Sequence, residues 1–191
     1  MIENEAQSVK GKKVLVALTG GIACYKICTL VSRLIQAGAD VRVMMTKSAT
    51  KFVGEVTFQS LSGHKVMTSL WESDERPDAE HIGLARWCDL LVIAPASANS
   101  ISKLVHGIAD NFVSTVSLAV PQSTPILIAP AMNADMWENP ATKRNMKLLS
   151  ELYKNVKLVG PEKGWQACRA EGYGRMSEAE DILEAVEGIL C

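Results

Sequence analysis

The chain alternates short apolar runs with longer segments whose apolar residues recur at helical spacing. Lys13-Val-Leu-Val-Ala-Leu18 is almost continuously apolar, the pattern of a strand covered on both faces. From about Ile22 to Gln36, Ile27, Leu30, Val31 and Leu34 fall on one side of a predicted helix, with Gly38 just past its end. Val41 to Met45 is the next predicted strand, and Thr46-Lys-Ser-Ala begins a turn into another helix. Between Lys51 and Asp78 the signal weakens to one helix across Val56 to Leu61 and an irregular acidic stretch from Glu72 to Glu80.

The second half is clearer. Asp89 to Ala94 reads as a strand, and Pro95-Ala-Ser-Ala-Asn-Ser opens a helix through about Val105. A helix fits Asn111 to Ala119, and the strand Ile126 to Ala129 ends at Pro130-Ala-Met-Asn. Glu138 to Leu152 is predicted helical with Pro140 near its first turn, followed by a last strand at Val156 to Val159. Pro161 to Met176 reads as a long loop, and Glu178 to Ile189 as a closing helix. This alternation predicts one α/β domain over residues 12–191, preceded by a flexible extension at 1–11. Its fold is a doubly wound, Rossmann-like or flavodoxin-like, mostly parallel sheet of about six strands.

Composition narrows the function classes. The 191 residues carry 20 Lys+Arg against 21 Asp+Glu, a net charge of −1, so no overall basic footprint for nucleic acid is present. Aromatic residues are 5%, too few for a base-stacking platform. The start of the chain has no apolar signal segment, and runs such as Leu90 to Ala96 are far too short to span a bilayer. Five scattered cysteines, Cys24, Cys28, Cys88, Cys168 and Cys191, fit reduced thiols in a cytoplasmic protein. Cys24 and Cys28 share a helix face, but no second ligand cluster supports a metal, and none is expected.

In doubly wound sheets ligands bind beyond the carboxyl ends of the strands. Four such ends here are rich in small and polar residues: Thr19-Gly20-Gly21, Thr46-Lys47-Ser48, Pro95-Ala-Ser97-Ala98-Asn99-Ser100 and Pro130-Ala131-Met132-Asn133. The first three lead into helices, whose free N–H groups and positive dipole end favour an anion. Hydroxyls at Thr46, Ser48, Ser97 and Ser100 either donate to a phosphate or cap their helices. The first turn lacks the spaced three-glycine fingerprint, and no acidic residue ends the second strand, so a nicotinamide dinucleotide is disfavoured. A mononucleotide such as FMN suits these ends better. Three residues then carry candidate chemistry. His81 begins a short helix, where an imidazole either relays a proton or is a surface residue. Asn133 follows a strand end, where its amide either donates to a carboxylate or fills a turn. Cys168 lies in the long loop, where a thiol can act as acid, reductant or nucleophile.

The segments His81-Ile-Gly-Leu-Ala-Arg-Trp87, Pro95-Ala-Ser-Ala-Asn-Ser100, Pro130-Ala-Met-Asn-Ala-Asp-Met-Trp137 and Ala167-Cys-Arg-Ala-Glu-Gly-Tyr-Gly-Arg-Met176 are distinctive. In order and spacing they resemble the homo-oligomeric flavin-containing cysteine decarboxylases, from about Lys12 to Leu190. The resemblance implies an FMN-dependent decarboxylation of 4′-phosphopantothenoyl-L-cysteine to 4′-phosphopantetheine, a step of coenzyme A biosynthesis. An α-carboxylate beside a simple thiol has no electron sink, so a redox cofactor must create one. By the same resemblance His81 is the active-site base or proton donor, Asn133 holds the substrate carboxylate, and Cys168 protonates an enethiol intermediate as it is reduced.

The family pattern assigns FMN to Gly20, Gly21, Ile22, Thr46, Lys47, Ser48, Ser97, Ala98, Asn99, Ser100 and Ala131. It assigns substrate to Asn133, Met132 and Met136 and to a clamp containing Gln166, Ala167 and Arg169. Two positions depart from it: many relatives have Ser where Gly21 stands, and Gly where Arg169 stands. Relatives form trimers or multiples of trimers with FMN near a subunit interface, and many are fused to a phosphopantothenoylcysteine synthetase, which here would be a separate partner. Peptidyl-cysteine decarboxylases of peptide maturation and non-catalytic FMN-binding regulators share the pattern in part. The joint presence of His81, Asn133 and Cys168 favours catalysis on the small substrate.

Overall fold

The computed structural model describes residues 9–71 and 80–191. Five strands, β1 (Lys13–Leu18), β2 (Asp40–Met45), β3 (Leu90–Ala96), β4 (Ile126–Pro130) and β5 (Val156–Leu158), form one parallel sheet in the order β2-β1-β3-β4-β5. Strand direction requires a crossover after each strand, and helices supply them: α1 (Cys24–Gln36), α2 (Glu55–Ser62), α3 (Glu80–Trp87), α4 (Ala98–His106), α5 (Phe112–Ala119), α6 (Ala134–Glu138), α7 (Pro140–Leu152) and α8 (Ala179–Leu190). The sheet is covered on both faces, which is why its central strands read as unbroken apolar runs. Val14, Val16 and Leu18 pack with Ile27 and Leu30 of α1, Phe58 of α2 and Ile182 of α8. Leu15 and Ala17 face the opposite core with Leu84 of α3, Ile101 of α4, Phe112 of α5 and Leu149 of α7.

Several boundaries differ from expectation. Among the described residues the sheet has five strands, not about six, because the chain leaves it after β5. The expected loop at Pro161–Met176 is an antiparallel hairpin of β6 (Glu162–Trp165) and β7 (Glu171–Arg175) paired only with itself. The helix expected after Thr46 is one 3-10 turn, Ala49–Lys51, and α2 starts only after Gly54 in an extended conformation. The short helix α6 precedes Pro140, and the Asn139 side chain accepts the Ala141 N–H at 2.9 Å to start α7. Of the expected extension, residues 1–8 lie outside the described residues; Val9 is buried in the core, and the Gly11 N–H donates to the Gly38 carbonyl at 2.8 Å. The acidic stretch lies outside them too, up to residue 79. Among the described residues no helix is long and apolar enough to cross a membrane.

Candidate functional site

The strand order reverses between β1 and β3, and that switch point is where doubly wound sheets open a crevice. Thr19, fully buried at the end of β1, closes its floor. Its hydroxyl donates to the Pro95 carbonyl at 2.7 Å and accepts the Ser97 N–H at 2.8 Å, tying the ends of β1 and β3 together. Above this floor lies a cleft of about 550 Å³, within the range of small-molecule sites. Five separate stretches line it: Gly20 to Ala23 with Tyr25 and Lys26, Ser97 and Ala98, Ala131 to Asn133 with Met136, Trp165 to Cys168 on the hairpin, and Gly174 to Met176 with Glu178.

The glycine turn fits a phosphate. A Cβ on Gly20 would stand 2.6 Å from Ser48 Cβ, so only glycine lets the turn approach Ser48. At Gly21 a Cβ would meet nothing closer than Pro95 Cγ at 3.8 Å, so a side chain there would have room. The N–H groups of Gly21, Ile22 and Ala23 meet no acceptor among the described residues. The helix they open has no side-chain cap and no acidic residue in its first turn. Free donors at the positive end of a 13-residue helix are an anion cradle.

The other strand ends behave mainly as caps. Thr46 Oγ1 accepts the Ala49 N–H at 3.2 Å, and Ser97 Oγ accepts the Ser100 N–H at 3.3 Å while donating to Ser100 Oγ at 3.1 Å. Ser97 and Ala98 line the cleft. Thr46, Lys47, Ser48, Asn99 and Ser100 are not part of its lining, although Ser48 backs Gly20.

On the opposite wall, Asn133 is the N-cap of α6 in an extended conformation. Its Oδ1 accepts the Asp135 N–H at 2.8 Å and the Met136 N–H at 3.3 Å, which leaves its Nδ2 facing outward as a donor. That Nδ2 donates to Cys168 Sγ at 3.3 Å. The structure therefore joins two residues 35 positions apart, an amide and a thiol, across the mouth of the cleft. β7 makes this possible by pressing against the Met132 backbone: the Met132 N–H donates to the Gly174 carbonyl at 2.9 Å, and a Cβ on Gly174 would lie 2.3 Å from the Met132 oxygen. Arg169, following Cys168, has φ of 63°, the left-handed region that glycine favours. Its side chain is exposed and does not line the cleft.

His81 is not brought to this cleft. It sits in the first turn of α3, on the other face of the sheet from α1, and its Nδ1 is buried without a partner among the described residues. Ala23, Tyr25, Lys26, Trp165 and Glu178 line the cleft although the sequence did not point to them. Tyr25 and Lys26 lie within one turn of the glycines, so helical spacing was the available signal. Lys26 Nζ donates to the Met176 carbonyl at 3.1 Å and pairs with Glu178 Oε1 at 2.8 Å, and Arg175 pairs with the same carboxylate. Burial, with the Arg175 charge second, pulls the Lys26 ammonium below the usual lysine range. Burial pushes the Cys24 and Cys88 thiols up to about 11, so neither is a reactive thiol at neutral pH. The chemistry present is thus an anion cradle, an apolar slot, and an amide beside an exposed thiol.

The chain is similar to known proteins over almost its whole length. The family model described as Flavoprotein matches residues 2–190. The chain is 44% identical over 179 residues to the coenzyme A biosynthesis bifunctional protein CoaBC of Bacillus subtilis, covering 94% of this chain and 43% of that protein. It is 40% identical over 176 residues to the probable phosphopantothenoylcysteine decarboxylase of Streptococcus mutans, covering 92% of this chain and 97% of that one. The chain therefore spans less than half the length of the bifunctional relatives and nearly all of the shorter one. Among solved structures it resembles a PPC decarboxylase cysteine-to-serine variant complexed with pantothenoylaminoethenethiol, with a TM-score of 0.80, 34% identity and 93% and 97% of the two chains covered. It also resembles the FMN-dependent cysteine decarboxylase SpaF, with a TM-score of 0.79, 28% identity and coverages of 96% and 97%. Given a match over almost its whole length and relatives at this identity, the chain belongs to the Flavoprotein family.

Proposed function

We propose that the protein binds FMN and decarboxylates 4′-phosphopantothenoyl-L-cysteine to 4′-phosphopantetheine in the cytoplasm, where an exposed catalytic thiol stays reduced. The observation that carries this reading is the contact between Asn133 Nδ2 and Cys168 Sγ at the mouth of a cleft whose far end is an anion cradle. The N–H groups of Gly21, Ile22 and Ala23 hold the FMN phosphate, and Gly20, Ser97, Ala98 and Ala131 flank its body. When bound, FMN supplies a temporary store for two electrons, taken from the substrate's cysteine and returned after carbon dioxide has left.

The chain's residues do the rest. Asn133 Nδ2 orients the carboxylate that departs, since its oxygen is committed to the α6 cap and one of its two N–H bonds to Cys168, which leaves the other to donate. His81 receives the thiol proton of the substrate during its oxidation. Cys168 gives its S–H proton to the enethiol carbon during the final reduction, and the resulting thiolate regains a proton from water. Met132 and Met136 with Ala167 shape the apolar slot for the pantothenoyl arm. Arg169 offers its charge to the substrate phosphate.

His81 lies outside its own chain's cleft, so a second copy of this chain supplies it. Ile22 and Tyr25 at the cleft and Trp165 on the hairpin are 55%, 60% and 68% exposed, apolar surface that supports such a cover. A trimer or a multiple of trimers is the assembly we propose, with a separate synthetase supplying the substrate. The test is to identify the flavin released on denaturation and to assay carbon dioxide release from 4′-phosphopantothenoyl-L-cysteine. FMN with carbon dioxide release is expected; a colourless protein, or one inert towards this substrate, overturns the reading.

A further inference from the structure

The sequence placed Gln166 among the substrate contacts, and it does border the cleft. Its bonding leaves nothing for a substrate. Gln166 is only 8% exposed, and every polar atom of it is engaged. Oε1 accepts the Ala134 N–H at 3.0 Å and the Cys168 S–H at 3.6 Å. Nε2 donates to the Tyr173 carbonyl at 3.1 Å and to the Gly172 carbonyl at 3.4 Å. Its backbone N–H donates to the Ala170 carbonyl and its carbonyl accepts the Arg169 N–H, both at 2.9 Å. One buried amide thus closes the turn that carries Cys168, holds that turn to β7, and ties both to the residue after Asn133.

We propose that Gln166 is a positioning residue for the Cys168 thiol, acting through that sulfur and making no substrate contact. The sulfur sits between a donor and an acceptor: Asn133 Nδ2–H points at it and Gln166 Oε1 receives its proton. That arrangement orients the S–H bond, with its hydrogen directed at Gln166 Oε1 and the sulfur lone pair at Asn133 Nδ2. It also fixes the distance between the thiol and the amide that holds the carboxylate, because Gln166 grips α6 one residue from Asn133. The inference rests on the decarboxylase reading for its catalytic consequence. The sulfur contact itself stands apart from it.

The test compares wild type with Gln166→Met, which keeps length and loses all four side-chain bonds. Asn133 keeps its own bonds to the Asp135 and Met136 N–H groups, so the loss should fall harder on reduction of the enethiol than on its formation. The ratio of reduced product to enethiol should therefore fall at least about tenfold, the scale of an ångström-size misplacement, while carbon dioxide release and bound flavin persist. A raised KM with an unchanged product ratio would mark a substrate contact and overturn the proposal; so would equal losses in both steps. Should Gln166→Met fail to fold, Gln166→Asn keeps a neutral amide but is one methylene too short to reach Cys168 Sγ, and it should skew the ratio in the same direction by at least about threefold. A wild-type ratio from that variant would count against the proposal. Independently of substrate, iodoacetamide should alkylate Cys168 about three- to tenfold faster in Gln166→Met; equal rates refute the sulfur contact. A wild-type protein that releases no carbon dioxide removes the decarboxylase reading and leaves the alkylation result to judge this one.

Discussion

At the scale of residues, the two ends of the proposed chemistry make separable demands. In the proposed mechanism Cys168 supplies only the last proton, so Cys168→Ser should still release carbon dioxide but accumulate the enethiol; mass spectrometry of the product distinguishes the outcomes, and a normal yield of reduced product contradicts the assignment. His81→Asn should keep FMN bound and abolish carbon dioxide release by at least about a hundredfold, the typical value of a positioned acid or base. An active yellow variant would remove His81 from the mechanism. The thiols also differ in a way that needs no substrate. With pKa values pushed up to about 11, Cys24 and Cys88 carry only about one thiolate in a thousand at pH 8. Both are also buried, whereas Cys168 and Cys191 are exposed. Brief iodoacetamide treatment at that pH should label the exposed pair and spare the buried one, and peptide mass mapping reads the result. Raising the pH towards 11 increases the thiolate of the buried pair, so protection weakens in that direction.

At the scale of elements, the strand ends matter more than the strands. Gly20→Ala forces Ser48 to move, since the two carbons would stand 2.6 Å apart, whereas Gly21→Ala has 3.8 Å of clearance. The first should lose bound flavin and the second should keep it, as absorbance of the purified proteins will show. Thr19→Val keeps the shape but strands the partly buried Ser97 N–H and drops the bond to Pro95, at a cost of about 1–3 kcal/mol seen as a lower Tm.

The elements legible in the sequence were those whose burial leaves a mark in hydrophobicity. β1, β3 and β4 are buried along nearly their whole length and read as apolar runs, and α1 showed its buried stripe of Ile27, Leu30, Val31 and Leu34. The hairpin was not legible, because only Gly174 in it is buried and its less exposed positions are Glu162, Gly164, Gly172 and Arg175, so burial leaves no apolar alternation in the sequence. α6 was hidden for the same reason: none of its residues is buried. The cradle glycines, Asn133 and Cys168 could be singled out by residue type, but the contact between the last two depends on how the hairpin folds back. Local spacing does not encode that.

At the scale of the whole molecule, His81 lies outside the cleft of its own chain, so the proposed mechanism requires a second copy. A subunit with His81→Asn still owns an intact cleft, and one with Cys168→Ser still owns an intact histidine. Mixing the two variants, after dissociation and reassembly, should restore full conversion at about a quarter of the wild-type sites if neighbours assort at random. No recovery in verified mixed assemblies would place His81 and its cleft in one chain after all.

The central claim is the substrate and the fate of its electrons, and product masses test it most directly. The purified yellow protein is incubated, in parallel, with 4′-phosphopantothenoyl-L-cysteine and with a peptide ending in cysteine. The account predicts that the small substrate alone loses carbon dioxide, with no net loss of hydrogen, because the electrons return and Cys168 supplies the final proton. Loss of carbon dioxide together with two hydrogens, from the peptide and not from the small substrate, would contradict it.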